Sequence, residues 1–183
     1  MTRASTRERH RARIAHIPED RQRSGMIGGF TVAENSVLDS YYAPPFSRGI
    51  SMRWGEVDRA AAQIVDEFDV RTESIRALAG HLSGGNQQKL VVGRELARDT
   101  RLLIAAQPTR GVDVGSIEYI HDRLVKARDE GDGVLIVSTE LDEVMSLSDR
   151  ILVMYRGRIV ASGDGAPAPV TDVGLAMAGM AKP

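Results

Sequence analysis

The sequence predicts an α/β fold whose first hundred residues are mostly helical and whose remainder alternates strands with helices. Between Arg53 and Phe68, apolar residues recur at spacings of three and four, which predicts an amphipathic helix. Beyond residue 100, short apolar runs alternate with helical patterns, as is typical of parallel βαβ units. A length of 183 residues fits one domain and is sufficient to bury a core.

The first half contains one further strand and two further helices. Arg13–Pro18 predicts a short strand that the proline ends, and we expect the basic residues before it to be solvated or disordered. The run Thr31-Val32-Ala33-Glu34 has the spacing of a capping box and predicts a helix that continues to about Ser40. Another helix-forming run covers Leu90–Arg98.

In the second half, strands and helices are predicted in turn. The predicted elements are a buried strand Leu102–Ala106, a helix Ile117–Arg128, a second buried strand Val134–Val137, a helix Glu140–Leu147 and a third strand Ile151–Tyr155. Arg156-Gly157 then turns the chain into Arg158–Val160. The tail from Gly163 to Pro183 is rich in Gly, Ala and Pro, so we expect a loop with one weak helix around Leu175–Ala178.

Composition excludes several classes of function. A net charge of −1 gives no field that would attract the whole chain to nucleic acid, and the seven arginines of the first 25 residues have no interleaved aromatics for base stacking. No apolar run approaches the roughly 18 residues that span a bilayer, so we expect no direct membrane insertion. The chain has no cysteines, and its four histidines lack metal-ligand spacing, so no metal site is predicted.

The most informative segment is Leu82-Ser83-Gly84-Gly85-Asn86-Gln87-Gln88-Lys89, directly before a helix-forming run. A serine hydroxyl and two glycine amides are thereby placed at a helix N-terminus, where unpaired amides and the helix dipole favour anions. Glycine has no Cβ, so a phosphate can approach the backbone closely. We expect this loop to be exposed.

This segment resembles the signature motif of ATP-binding cassette (ABC) proteins, and its Asn-Gln-Gln-Lys ending resembles the sugar and nucleoside importer branch. The resemblance implies that Leu82, Ser83, Gly84, Gly85, Asn86 and Gln87 contact the γ-phosphate of ATP held by the opposite cassette. It also implies partial P-loop NTPase (RecA-like) architecture with a helical subdomain inserted in the α/β core.

The phosphate loop of that fold, Gly-x-x-x-x-Gly-Lys-Ser/Thr, does not occur in the sequence. The resemblance runs from about Ala12 to Gly179 and begins after the point where the phosphate-loop strand and helix should have passed. We therefore expect the back part of a cassette, from the second cassette of a fused importer protein. Its expected division is a helical subdomain over residues 24–98, an α/β core over 99–163 and a C-terminal tail over 164–183.

The strand Leu102–Ala106 resembles the family's strand that carries the catalytic carboxylates, but Ala106 and Gln107 stand where the family has Asp and Glu. Alanine offers no oxygen to a magnesium shell, and neutral glutamine cannot act as a general base. Taken alone, the run could be only a core strand followed by a proline turn. The Thr109–Asp113 run resembles the family's D-loop, with Asp113 in the place of its aspartate.

Two further positions correspond to family motifs. Glu19, in Pro18-Glu19-Asp20-Arg21, takes the place of the Q-loop glutamine that senses the metal and faces the membrane domain, and it could equally belong to a salt-bridged surface loop. Thr139 stands where the family has a switch histidine. The hydroxyl is too short and uncharged to replace that histidine, so we interpret Thr139 mainly as a helix N-cap followed by carboxylates.

These residues favour an ATP-binding subunit or fragment of an importer for simple sugars or nucleosides. It would have no catalytic residue of its own, and would donate its signature motif to ATP and Mg²⁺ at a composite site with a partner cassette. The implied partners are that cassette and membrane permease subunits, which implies a cytoplasmic location, peripheral on the inner face of the plasma membrane. The alternatives are a non-catalytic interaction module that pairs with a cassette or permease, and a truncated product without a stable fold.

Overall fold

The computed structural model describes residues 3–164, 170–177 and 179. The chain divides into two compact units, Met1–Leu135 and Ile136–Pro183, and each is described by itself. The first unit contains helices α1 (Thr6–Arg11), α2 (Val32–Ser36), α3 (Trp54–Glu67), α4 (Gly84–Leu96) and α5 (Val114–Asp129), and strands β1 (Ile14–Ile17), β2 (Ser47–Arg48), β3 (Ser51–Met52) and β4 (Leu102–Ala106). A π-helical turn covers Arg21–Gly25 and a 3-10 turn covers Ala79–His81.

The main sheet has the strand order β1-β4-β5, where β5 is Gly133–Val137 at the boundary of the two units. Strands β1 and β4 are parallel, with Ile14 opposite Leu102 and Ile17 opposite Ala105. The sequence places fully apolar residues at alternate positions, so one face is completely buried; its members are Ala15, Ile17, Leu103 and Ala105. Parallel pairing also brings the carboxyl ends of β1 and β4 to the same edge of the sheet.

Strand β5 is less buried than the sequence predicts. Leu135 and Val137 are each about half exposed, at 50% and 51%, whereas the continuous apolar run predicts a strand covered on both faces. The difference arises because hydrophobic periodicity reports which residues can be buried. It does not report whether another element lies over them.

Helix α4 is buried around most of its circumference and crosses α3 closely at Gly93. A Cβ at Gly93 would lie 2.8 Å from Phe68 Cγ and 2.9 Å from Ile64 Cγ2. Both neighbours are buried core residues at 2% and 3% exposure, so they have little room to move. The glycine therefore sets how closely the two helices approach each other.

The helical part agrees with the predicted capping box. Thr31 is the N-cap of α2, its hydroxyl accepts from the Glu34 amide at 3.2 Å, and the Glu34 carboxylate accepts from the Thr31 amide at 2.7 Å. Regular α-helix ends at Ser36, earlier than predicted. The sequence did not predict the β2–β3 hairpin, in which Gly49 has a φ of +63°.

The structure corrects the prediction for the start of the chain. Residues Thr6–Arg11 form helix α1, where we expected a solvated or disordered segment. Ser5 caps this helix, and a reciprocal bond from its amide to the Glu8 carboxylate measures 2.7 Å. The prediction was wrong because the Ser-x-x-Glu spacing of Ser5 and Glu8 forms a capping box, which starts a helix despite the run of like charges. None of the residues of α1 is buried, so solvation was predicted correctly.

The second unit contains α6 (Leu141–Leu147), β6 (Arg150–Tyr155), β7 (Arg158–Asp164) and α7 (Val170–Met177). We expected the third strand in a parallel βαβ unit, but β6 pairs antiparallel with β7 through the predicted turn at Arg156-Gly157. The described residues of the tail contain more regular structure than expected: β7 extends to Asp164, and α7 is longer than the weak helix predicted there. Ala178 lies outside the described residues.

Val153 of β6 packs against Val173 and Ala176 of α7, so the predicted loop supplies part of this unit's apolar core. Within the described residues, no helix is long and apolar enough to cross a membrane.

The close approach at Gly93 gives a test of the fold. Gly93→Ala should lower the free energy of unfolding by about 1–3 kcal/mol, because the added methyl overpacks a rigid contact with Phe68 and Ile64. Gly55→Ala is the matched control, since a Cβ at this helical glycine of α3 meets nothing within 4 Å. The control should raise stability by about 0.4–1 kcal/mol. Urea denaturation measures both; equal stability of the two variants would contradict the close packing.

Candidate functional site

The signature segment forms the beginning of helix α4. Ser83 is the N-cap, with an extended backbone at φ −61° and ψ 158°, and α4 starts at Gly84. The Ser83 hydroxyl accepts from the Asn86 amide at 3.4 Å and from Asn86 Nδ2 at 2.9 Å. As predicted, the serine and both glycines lie at a helix N-terminus, where the first amides have no intrahelical carbonyl partner. The helix itself begins six residues before the apolar run that predicted it.

The surroundings of the two glycines leave little room for a Cβ. A Cβ at Gly84 would lie 2.7 Å from Arg21 Nη2 and 3.0 Å from the Gly111 carbonyl oxygen. A Cβ at Gly85 would lie 2.5 Å from both Asp113 Oδ2 and Ser116 Oγ. The expectation of an exposed loop is therefore correct only for Ser83, because Gly84 is half-buried and Gly85 is buried.

Arg21 joins three segments at this point. Its Nη1 donates to the Arg110 carbonyl at 2.8 Å, and its Nη2 donates to the Gly111 carbonyl at 3.2 Å. Its Nε donates to Gln87 Oε1 at 3.4 Å. The segment after β1, the segment after β4 and the first turns of α4 are thus held together by one guanidinium.

The remaining side chains of the signature segment hold it in place. Asn86 Oδ1 accepts from the Arg71 amide at 2.8 Å. Gln87 is buried and its Nε2 donates to the Leu82 carbonyl at 3.1 Å, which fixes the chain entering the helix. Gln88 is also buried, and its Nε2 donates to the Pro108 carbonyl at 2.7 Å. These amides serve packing and orientation, and Ser83 is the exposed polar side chain of the segment.

Glu19, at the Q-loop position, forms an ion pair with Arg110 at 2.5 Å. Both side chains are more than half exposed, so this pair contributes little stability by itself. The pair nevertheless joins the Q-loop position to the segment after β4. It agrees with the interpretation of this segment as a salt-bridged surface loop.

Asp113, at the D-loop position, is the N-cap of α5. Its Oδ2 accepts from the Ser116 hydroxyl at 2.9 Å and its Oδ1 accepts from the Ser116 amide at 3.0 Å. The Ser116 hydroxyl, and after it the Ser116 amide, lowers the pKa of Asp113 below its ordinary value. The carboxylate is therefore ionised across the neutral range, close to the start of α4.

The end of β4 offers no metal ligands of the kind that the family uses. Ala106 is the last residue of the strand, and the backbone then turns at Gln107 with a φ of +50°. The Gln107 carbonyl accepts from the Arg110 amide at 3.1 Å, which begins the turn into the D-loop segment. Among the described residues, no group of three or more His, Cys, Asp or Glu side chains could hold a metal ion. The residues at this position do not fit Mg²⁺.

Thr139 belongs to the second unit and lies before α6. Our interpretation of it as the N-cap was wrong, because the N-cap is Glu140, whose side chain makes no capping bond. The Ser138 hydroxyl instead accepts from the Glu140 amide at 3.0 Å. The predicted carboxylates in the first turn are present at Asp142 and Glu143.

The structure thus brings Glu19, Ser83, Gly84, Gly85 and Asp113 into one region of the first unit through Arg21 and its partners. The sequence did not identify Arg21 or Ser116 as members of this region. Arg21 is part of the quoted Pro-Glu-Asp-Arg run, but nothing in the run reveals its partners 66 to 90 positions away. Ser116 had a local signal, since Asp-x-x-Ser has the spacing of an N-cap contact.

Comparisons with known proteins identify the family of the chain and confirm its fold class. A family model described as ABC transporter matches residues 1–110, and the chain belongs to this family. Dimeric structures of the ABC transporter cassette MJ0796, one of them bound to ADP and Pi, superpose with a TM-score of 0.68 at 24% identity over 83% of this chain and 62% of that chain. This likeness confirms the predicted α/β fold of the P-loop NTPase class.

Several import proteins are similar in sequence. The guanosine import ATP-binding protein NupO of Bacillus subtilis is 48% identical over 91% of this chain and 32% of its own length. The nucleoside import ATP-binding protein NupA of Lactococcus lactis is 47% identical over 91% of this chain and 33% of its own length. The glucose import ATP-binding protein TsgD13 of Haloferax volcanii is 42% identical over 98% and 33%. The chain spans about one third of the length of these curated relatives.

The contact between Asp113 and Ser116 predicts a change in titration. The folded-state pKa of Asp113 is lowered. The stability that this contact contributes is therefore fully present above the ordinary aspartate pKa of about 3.9, and it is lost as pH falls through the lowered value. Ser116→Ala should raise the pKa of Asp113 toward the ordinary value, as measured by NMR titration of its carboxyl carbon. Ser5→Ala, which removes a similar cap at α1, should leave Asp113 unchanged. If the pKa of Asp113 were unchanged in Ser116→Ala, the Ser116 hydroxyl would not be the cause of the lowered pKa.

Proposed function

We propose that this chain acts as the signature half of a composite ATP site in an ABC importer. The observation that carries the proposal is the start of α4, where exposed Ser83 and the first amides of the helix lie beside Asp113 at the D-loop position. In this proposal Leu82, Ser83, Gly84, Gly85, Asn86 and Gln87 face the γ-phosphate of ATP bound by a partner cassette. ATP and its Mg²⁺ are held mainly by that partner.

The chemistry of the helix start suits a phosphate. The amides of Gly84 and Gly85 point along the helix axis, and the helix dipole adds partial positive charge at this end. The Arg21 guanidinium lies against Gly84 and adds a full positive charge, while the ionised Asp113 carboxylate lies beside Gly85 and is occupied by its bonds to Ser116. Oriented donors of this kind stabilise charge that develops on an oxyanion during reaction.

In the same proposal, the ATP site that this chain would form with its own catalytic residues is degenerate. Phosphoryl transfer needs a phosphate cradle, a metal ion and an oriented water. Ala106 and Gln107 supply no carboxylate, Thr139 supplies no imidazole, and the sequence has no phosphate loop. Hydrolysis is therefore assigned to the assembled pair of cassettes.

The names of the relatives support a proposal for the transported class, and the location is proposed with it. Their names refer to import of guanosine, nucleosides and glucose, so we propose a simple-sugar or nucleoside importer. Its permease subunits would contact the Glu19 segment, on the cytoplasmic face of the plasma membrane. Within the chain we propose a helical subdomain over residues 24–98, an α/β core over 99–163 and a tail over 164–183.

The isolated chain should show no magnesium-dependent ATPase above background. Replacing Ala106 by Asp and Gln107 by Glu in one variant should not create activity, because the phosphate cradle is still missing and positioning and charge stabilisation must act together. A coupled assay of released phosphate on the purified protein measures both. Hydrolysis by the double variant would mean that another loop of this chain cradles the phosphates.

A negative charge introduced at position 83 tests whether the signature segment contacts the phosphate of a partner's ATP. The segment of the Bacillus subtilis guanosine import protein that matches this chain would be replaced by this chain, and we expect the rest of that protein to supply the partner cassette. Ser83→Asp keeps a good N-cap residue but places a carboxylate where the phosphate should lie. Turnover should fall at least 10²-fold, roughly the effect of losing one oriented oxyanion donor.

Two variants control for stability and charge. Ser83→Asn keeps the cap without a charge and should retain most of the turnover that Ser83→Asp loses. Gly29→Asp adds the same charge at an exposed glycine whose Cβ would meet nothing within 4 Å, and should have no effect. If the graft folds and Ser83→Asp turns over as fast as Ser83→Asn, the chain is an interaction module and not a donor.

A further inference from the structure

We propose that Arg21 is a positioning residue that holds the signature segment and the D-loop segment in register. This inference rests on the proposed function, because it concerns how the donated groups are kept in place. Its own basis is the set of contacts that Arg21 makes with two successive carbonyls after β4 and with the first turns of α4.

The planar guanidinium of Arg21 bonds two neighbouring carbonyls at once. Nη1 and Nη2 donate separately to the carbonyls of Arg110 and Gly111, at 2.8 and 3.2 Å. Gly111 has a φ of +67°, so its carbonyl is presented by a backbone conformation that residues with a Cβ rarely adopt. A compact ammonium group could not bond both carbonyls and Gln87 from one position.

The same guanidinium defines the position of the signature glycines. Its Nη2 occupies the space that a Cβ of Gly84 would need, at 2.7 Å. Its Nε donates to Gln87 Oε1, and Gln22 Nε2 donates to the same oxygen at 3.3 Å. The start of α4 is therefore fixed to the segment after β1 by donors from two neighbouring residues.

The segment that carries Arg21 is itself well defined. Asp20 caps the π-helical turn, with Oδ1 accepting from the amides of Gln22 and Arg23 at 3.0 Å each. Glu19 pairs with Arg110, whose carbonyl is bonded by Arg21. A displacement of residues 19–21 therefore moves the D-loop carbonyls and the start of α4 together, which makes Arg21 the connection between the Q-loop position and the donated groups.

The first measurement is amide hydrogen exchange on the isolated full chain, comparing Arg21→Ala, Arg21→Lys and Arg23→Ala. Arg23 is the matched control: it is exposed in the same turn, and no side-chain hydrogen bond is described for it among residues 3–164. Arg21→Ala should speed exchange at the amides of Val112, Ser116 and Asn86, and Arg23→Ala should not. Arg21→Lys should lie between them, because it keeps the charge and loses the planar guanidinium.

The second measurement uses the graft described above. Arg21→Ala should lower kcat for ATP by about 10²-fold with little change in KM, since misplacing donors by about 1 Å has effects of this size and the partner cassette binds the nucleotide. Arg21→Lys should recover part of kcat. Arg23→Ala should match the unmodified graft.

The outcomes separate this inference from the proposed function. Unchanged exchange in Arg21→Ala overturns the positioning role, whatever the turnover. Faster exchange in Arg21→Ala with unchanged turnover also overturns the positioning role. In that case, a loss of turnover in Ser83→Asp would still support the proposal that the chain donates its signature segment. If Ser83→Asp has no effect, the proposed function fails, and the exchange measurement alone then decides whether Arg21 holds the two segments together.

Discussion

Helix α4 can be buried on nearly every side only because each of its polar side chains has a partner. Ten of its thirteen residues are buried, five of them polar; these are Gln87, Gln88, Lys89, Arg94 and Glu95. Arg94 pairs with Glu95 at 2.8 Å and donates to the Gly25 carbonyl at 2.8 Å, and Glu95 accepts from the His16 amide at 3.2 Å. Removing one partner would leave a buried charge uncompensated, at a cost of about 3–5 kcal/mol. These bonds fix α4 against β1 and the π-helical turn, and the other elements of the first unit are placed around it.

The position of the candidate site follows from this constraint together with the parallel pairing of β1 and β4. Parallel strands end at the same edge of a sheet, so the residues that follow β1 and β4 meet there. Arg21 and the Arg110-Gly111 carbonyls come into contact in this way, although 89 and 90 positions separate them. Because α4 is held rigidly along its length, its N-terminal amides are presented at that edge without needing a separate loop to support them.

The sequence predicted those parts of the fold that depend on local pattern. The strands β1 and β4, the cap at Thr31 and the helix Trp54–Glu67 were all indicated by residues within one or two turns of one another. It placed Ser83, Gly84 and Gly85 at a helix N-terminus but traced the helix-forming run only from Leu90, because the two glycines are poor helix formers and the polar residues after them carry no apolar periodicity. The exposure of Leu135 and the role of Arg21 depend on what lies beside them in space. The candidate site was recognised through its motif, and its internal bonds were not.

The contacts also show which residues of the signature segment serve packing and which are available to a ligand. Gly84 and Gly85 have a packing explanation, since a Cβ would lie within 3.0 Å of Arg21 and Gly111 or of Asp113 and Ser116. Gln87 and Gln88 are likewise explained by the carbonyls that they bond. The glycines and glutamines of the segment therefore have a structural explanation that does not involve a nucleotide. Ser83 is different: its hydroxyl is exposed, and capping alone would be served as well by Asp or Asn. A neutral hydroxyl at the cap leaves the helix start open to an anion, which a carboxylate would repel, so the case for donation to a phosphate depends on Ser83 more than on the glycines.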